Sequence, residues 1–186
     1  MIDTGDWKRA EAIFDQDESA LTAKINPFGY NALQIAVELG HARFAVNTIN
    51  RIPLEALKDR TNTGNTALNV AARSDCIDAA RALVQRDPDL TQTRCNGNRA
   101  PILEAAINGS KAVLQFLCSA TRDEDPSPFR GNDGAWVLYN AIANGLFDAA
   151  IADSFSRQNA CDEKAFVLIK IQKVKLETSH QRRQSQ

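Results

Sequence analysis

Short apolar runs with helical spacing alternate along this chain with polar turns. Near the start, Trp7, Ala10, Ile13 and Phe14 fall on one stripe of a helix expected over residues 5–15. Trp7 reads either as cap packing or as a binding anchor. The pattern then becomes regular. The stretch NTGNTALNVAARS (62–74) reads as a tight turn feeding directly into a short helix. Gly64 takes the positive φ such a turn needs. Thr66 is placed to cap the helix, and Ala67, Leu68, Ala71 and Ala72 supply small and apolar faces. Small side chains let another helix lie close, and a unit of this size cannot bury its apolar face alone.

The chain repeats the unit. FGYNALQIAVELGH (28–41), TGNTALNVAARSDC (63–76), GNRAPILEAAINGS (97–110) and DGAWVLYNAIANGL (133–146) align on Gly29, Gly64, Asn98 and Gly134. The anchors are spaced by 35, 34 and 36 residues (64 − 29, 98 − 64, 134 − 98). Asn is the next-best residue for a left-handed turn, so Asn98 fits the place of a glycine. Inner helices are expected at 31–39, 66–73, 101–108 and 136–143, each followed by an outer helix at 41–51, 77–86, 111–119 and 146–155. Gly40 and Gly109 break two of these pairs; Asp75 stands in the same place and must adopt the turn conformation. The outer helices are expected to pack Phe44, Val46 and Ile49, then Ala79, Ala80, Leu83 and Val84, then Val113, Phe116 and Leu117. Residues 17–26 read as an extended link and 121–133 as a longer, proline-containing surface loop. The fourth unit diverges most, with Trp136, Val137 and Ile142 where smaller or polar residues stand elsewhere. Beyond Phe155 the pattern fails. VLIKIQKVKL (167–176) reads as a strand or a basic amphipathic helix, and the polar end after it as disordered.

A period near 33 around a Gly-x-Thr-Pro-Leu-His-x-Ala-Ala core marks ankyrin repeats, and the four units resemble it. The resemblance implies an all-α solenoid of stacked helix-turn-helix units joined by β-hairpin-like loops. A capping half-repeat would occupy 1–25, about four repeats 26–60, 61–94, 95–130 and 131–155, and a divergent tail 156–186. GDWKRAEAIFDQDESALTAKINPFGYNALQIAVELGH, GNTALNVAAR, ALVQRDPDL and GAWVLYNAIANGLFDAAI further resemble one group: plant membrane-tethered ankyrin proteins with a C-terminal Pro-Gly-Gly domain. That likeness covers residues 5–155 and implies a cytosolic array acting through protein contacts in defence or stress signalling. The sequence has no Pro-Gly-Gly motif, so it reads as a truncated or array-only member placed in the cytoplasm. The histidine of the core is replaced by Gln34, Asn69, Leu103 and Tyr139. Gln34 and Asn69 are expected to replace part of its bonding between neighbouring turns and Leu103 none, which predicts an array weaker than a consensus one.

Composition narrows the chemistry. With 22 basic and 23 acidic residues among 186, the net charge is −1, so there is no basic footprint for nucleic acid. No run reaches the length of a membrane span. Cys76, Cys95, Cys118 and Cys161 are widely spaced and read as buried reduced thiols, fitting an intracellular compartment. His41 and His180 are the two histidines, and His41 follows Gly40 in a structural position. No catalytic motif or metal-spaced cluster appears, so no enzyme activity, metal, cofactor or small-molecule substrate is expected. Two alternatives stand beside binding: a thiol enzyme using Cys76 near His41, and nucleic-acid binding through the basic run after residue 167. Glu38 and Glu104 read as a solvated face. The ankyrin likeness implies that turn tips and inner helices recognise a protein or peptide partner. Carried over by position, the contact residues are Phe28, Tyr30, Glu38, Asn62, Asn65, Arg73, Arg99, Asn108 and Asn132. Phe28 and Tyr30 read either as an exposed aromatic hot spot or as packing residues.

Overall fold

The computed structural model describes residues 4–146 and Ile151. The expected outer helix 146–155 falls outside them except for Leu146 and Ile151, and so do the tail 156–186, Cys161 and His180. Eight α-helices are found among the described residues: α1 Thr4–Gln16, α2 Ala32–Glu38, α3 Ala42–Arg51, α4 Ala67–Ser74, α5 Ile77–Arg86, α6 Pro101–Asn108, α7 Lys111–Ala120 and α8 Gly131–Ala143. The inner helices α2, α4, α6 and α8 touch in sequence, the outer helices α3, α5 and α7 do the same, and each inner helix packs on its own outer partner as far as α7. Helical hairpins therefore stand side by side in a row, the all-α solenoid expected from the repeat.

Local chemistry explains the boundaries. Asn31 and Gln34 form a reciprocal cap at the start of α2, and Thr66 and Asn69 do so for α4, satisfying backbone donors a helix start leaves free. Pro101 opens α6 in the first turn, where its missing N–H costs nothing. Asp75 takes the left-handed conformation after α4 (φ 53°), as does Gly109 after α6. The Asp75 carboxylate also accepts from the Val113 N–H at 3.0 Å, tying this turn to the start of α7.

Stacking consumes the small faces. Ala67, Leu68, Val70, Ala71 and Ala72 of α4 are buried, with Ala79, Ala80, Leu83 and Val84 of α5 beneath them. Each large aliphatic chain so placed contributes about 1.5–3 kcal/mol. Two expected faces shift. On α3 Ala45, Thr48, Ile49 and, at its end, Ile52 are buried at helical spacing and Phe44 packs against the core as expected, while Val46 lines an outer furrow. On α7 Leu114 is buried and Phe116 lies half-covered with the Arg81 guanidinium over its ring at 4.9 Å. The link after α1 is not extended. A 3₁₀ turn, Glu18–Leu21, drives Leu21 into the core; Glu55–Lys58 and Pro88–Gln92 do the same with Leu57 and Leu90.

Three narrow hairpins join the units. Their arms pair through Ile25 N–H to Tyr30 O (2.8 Å), Thr61 N–H to Asn65 O (3.0 Å) and Cys95 N–H to Arg99 O (3.1 Å). No strand forms among the described residues. Gly29, Gly64 and Asn98 all have positive φ, as expected. The fourth anchor does not. Helix α8 already runs from Gly131, so residues 132–134 form its first turns and no hairpin stands there. Gly134 is needed for closeness instead: a Cβ on it would lie 1.9 Å from the Phe129 carbonyl oxygen.

Candidate partner-binding face

The hairpin tips and the exposed side of the inner helices form one continuous face, and much of its polarity is already engaged. Asn62 N–H bonds Phe28 O at 3.0 Å, and Asn96 N–H bonds Thr63 O at 3.1 Å. The Asn62 amide donates to Pro27 O at 2.8 Å and the Asn96 amide to Asn62 O at 3.1 Å. Adjacent tips are thus laced to one another. Asn62 is exposed, but its amide works as this bridge. Asn65, expected at the surface, is buried; its amide donates to Thr63 Oγ1 at 2.9 Å and its N–H to Thr61 Oγ1 at 3.1 Å.

A second ladder was not foreseen. Lys24 Nζ donates to Arg60 O (2.7 Å), Arg60 Nη1 to Arg94 O (2.6 Å), and Arg94 to Pro126 O (3.1 Å) and the Asp133 carboxylate (2.5 Å). A cation ahead of each tip thus reaches the next connection. The signal was present as a basic residue at matching places in three successive units.

Three predicted residues do come together. Arg73 donates to the Tyr30 hydroxyl at 2.8 Å and to the Glu38 carboxylate at 2.7 Å. Burial pulls the Arg73 guanidinium down, but the Tyr30 and Glu38 oxygens outweigh it and the net direction is up. Tyr30 is 8 % exposed, so its ring packs and its hydroxyl alone reaches this cluster. Phe28, by contrast, is 70 % exposed at the first tip. The aromatic pair therefore splits: Phe28 is an open side chain and Tyr30 a packed one.

Further along, a groove of about 370 Å³ is lined by residues that include Arg99, Leu103, Ile107, Asn132, Asp133 and Trp136. Arg99 Nε donates to Glu104 at 2.6 Å, which holds the guanidinium above its usual range. Glu104 is not solvated as expected. It is 5 % exposed, also within 3.4 Å of the Asn108 amide and 3.7 Å of Cys95 Sγ. Asn108 lies exposed at the end of α6, its amide also on Glu104 O at 2.8 Å. Asn132 is exposed in the first turn of α8 rather than at a tip.

The thiol chemistry runs the other way from catalysis. Cys76, Cys95 and Cys118 are buried. Burial pushes the Cys76 thiol up, whereas a nucleophilic cysteine needs its thiolate favoured. His41 precedes α3 as its N-cap without a side-chain cap bond. No cluster of potential metal ligands occurs among the described residues, and none of their helices is long and apolar enough to cross a membrane.

A family model described as ankyrin repeats (3 copies) matches residues 10–94. Over those residues the helical hairpins match the ankyrin-repeat pattern. The chain is 28 % identical over 90 residues to the mouse (Mus musculus) B-cell lymphoma 3 protein homolog, a match covering 48 % of this chain and 19 % of that protein. It thus spans about a fifth of the length of that curated relative. A chain in the crystal structure of the yeast ribosomal protein Rps3 in complex with its chaperone Yar1 superposes with a TM-score of 0.52 at 24 % identity, over 60 % of this chain and 82 % of that one. This last likeness concerns the fold. The substitutions in the ankyrin core act as their lengths dictate. Gln34 Nε2 bonds Asp59 O at 3.0 Å and lies 3.4 Å from Asn65 O, bridging two turns. Asn69, one methylene shorter, keeps the cap through its oxygen but leaves its buried amide nitrogen without a partner.

Proposed function

We propose that the ankyrin array is a protein-interaction module that receives a protein or peptide partner along its hairpin tips and inner helices. The observation that carries this is selective exposure. Stacking and tip-to-tip bonding occupy most polar groups of that face, yet Phe28 stays 70 % exposed and Ile107 40 % exposed on the same side. Between them stands the half-exposed Arg73–Glu38 pair. Apolar anchors separated by a balanced ion pair suit a peptide rather than a polyanion. The similar solved chain comes from a complex between a protein and its chaperone, which agrees with a binding role. Cross-linking pull-downs with the whole chain and with Phe28→Ala and Ile107→Ala variants test the reading. Partner recovery should fall several-fold with either variant, as for hot-spot truncation of about 1–2 kcal/mol. Equal recovery by all three chains refutes it.

The likeness to plant membrane-tethered ankyrin proteins supports a finer reading: a cytoplasmic array serving defence or stress signalling, cut from or related to a tethered protein. Fractionation of the native product separates the forms, since recovery wholly away from membranes removes the tether.

A further inference from the structure

Three asparagines of the chain stand directly before a glycine: Asn96–Gly97, Asn108–Gly109 and Asn144–Gly145. Such a pair carries its own chemistry. The glycine amide nitrogen, after losing its proton to hydroxide, attacks the asparagine Cγ, since no Cβ obstructs the approach. A C–N bond forms, ammonia leaves and a five-membered succinimide results. Water then opens the ring at either carbonyl, giving aspartate or its main-chain isomer isoaspartate; nothing is oxidised or reduced. The attack needs a free N–H and a backbone that can fold back on the side chain. The ends of α6 and α8 deny both. Gly109 N–H donates to Ala105 O, and Gly145 N–H to Ile142 O at 3.0 Å. The side-chain amides are held as well, Asn108 on Glu104 O at 2.8 Å and Asn144 on Ala106 O at 2.8 Å. Gly97 differs. It is exposed at the third tip, and its N–H reaches no acceptor among the described residues. Asn96 is exposed too, its amide on Asn62 O at 3.1 Å. The second tip supplies the contrast. Asn62 is bonded in the same way, to Pro27 O at 2.8 Å, but precedes Thr63, whose β-branched side chain is stiff and crowds the attack.

We propose that Asn96 is a site of spontaneous modification, hydrolysing to aspartate and isoaspartate in the folded chain, and that the change unlaces the third tip from the second. The aspartate product has lost the donor to Asn62 O and sets a carboxylate against that carbonyl. The same side chain lies close on Gly64, where a Cβ would come 2.1 Å from Asn96 Oδ1, so the new charge is pressed to the neighbouring tip. Isoaspartate inserts a methylene into the main chain, inside the turn closed by Asn98 N–H to Cys95 O at 2.9 Å. Either product alters the face assigned to partner binding, although the site itself stands on the chain's own chemistry and not on that assignment.

The test ages the full chain at neutral and mildly alkaline pH, with and without urea, and follows each asparagine by peptide mapping in a mass spectrometer. The mass gain of amide-to-acid hydrolysis reports conversion, and enzymatic methylation of isoaspartate gives a second readout. In the folded chain Asn96 should convert about tenfold or more faster than Asn62, Asn108 and Asn144, the factor that opening one backbone hydrogen bond supplies. Conversion should speed up at the higher pH. In urea the three Asn-Gly pairs should approach a common rate, because the helix-end bonds are gone. Gly97→Ala, whose Cβ meets only the movable Arg99 guanidinium, should slow Asn96 toward the rate of Asn62. Asn96→Asp should accelerate hydrogen exchange at the second and third tips several-fold. Folded Asn96 converting no faster than the other two pairs, or the same ranking persisting in urea, overturns the site. Unchanged exchange in Asn96→Asp overturns the unlacing.

Discussion

Shortening Gln34 by one methylene isolates the bond that links the first two turns. In Gln34→Asn the side-chain oxygen can still accept from the Asn31 N–H, as Asn69 does from Thr66. The amide nitrogen no longer reaches Asp59 O, now 3.0 Å away. Position 34 is 1 % exposed, so water cannot take over. A buried polar group stripped of its partner costs about 1–3 kcal/mol, and the missing methylene adds about 0.8 kcal/mol. The expected loss is about 2–4 kcal/mol, or roughly 4–16 °C in melting temperature for a chain of this size. Urea titration followed by circular dichroism measures it. Hydrogen exchange at the hairpin amides of residues 59–65 should accelerate first, because repeat arrays open locally. Asn69 is the internal control: Asn69→Gln gives its unpartnered nitrogen the same reach and should recover about 1 kcal/mol. A cost below about 0.5 kcal/mol for Gln34→Asn, the size of an ordinary surface substitution, would refute the bridging role.

Two further outcomes follow from the same geometry. Gly64→Ala should destabilise by about 2–3 kcal/mol, because its φ is +78° and the new Cβ would lie 2.6 Å from the Asn96 backbone nitrogen. Gly40→Ala, at a similar φ with nothing within 4 Å, should cost about 1 kcal/mol; equal losses by thermal melting would show that tip closeness is immaterial. Burial raises the Cys76 thiol above its usual range, so the folded chain holds that proton longer than the unfolded one. Its contribution to stability is then fully present below the ordinary thiol range and is lost as pH rises from there through the raised folded-state value. A disulfide-exchange reagent should label Cys76 far more slowly in the native chain than in urea; fast native labelling at neutral pH would restore the thiol-enzyme alternative.

Features set within a few residues could be read from the chain. Gly29, Gly64 and Asn98 announce left-handed turns because a positive φ is a demand on one residue, met by few side chains. Asp75 was legible for the same reason, by elimination within its turn. The aromatic tip was not, since Phe28 and Tyr30 differ in burial only through what packs beside them. Asn65 looked like a surface residue because its bonds to the Thr61 and Thr63 hydroxyls form only when the hairpin closes. Gly134 was misread because a glycine that permits a positive φ and one that permits a close approach look alike.

The row of helical hairpins, their period and most helix ends follow from local spacing and from residues that start or stop a turn. What those hairpins leave uncovered does not. Asn62 and Tyr30 became structural, while Phe28, Ile107, Trp136 and Tyr139 stayed open, because such fates depend on the neighbouring unit (Asn62 N–H to Phe28 O spans 34 residues, Arg73 to the Tyr30 hydroxyl 43). Exposure is a property of the stack, and stacking distances are set by side chains that a single unit does not contain.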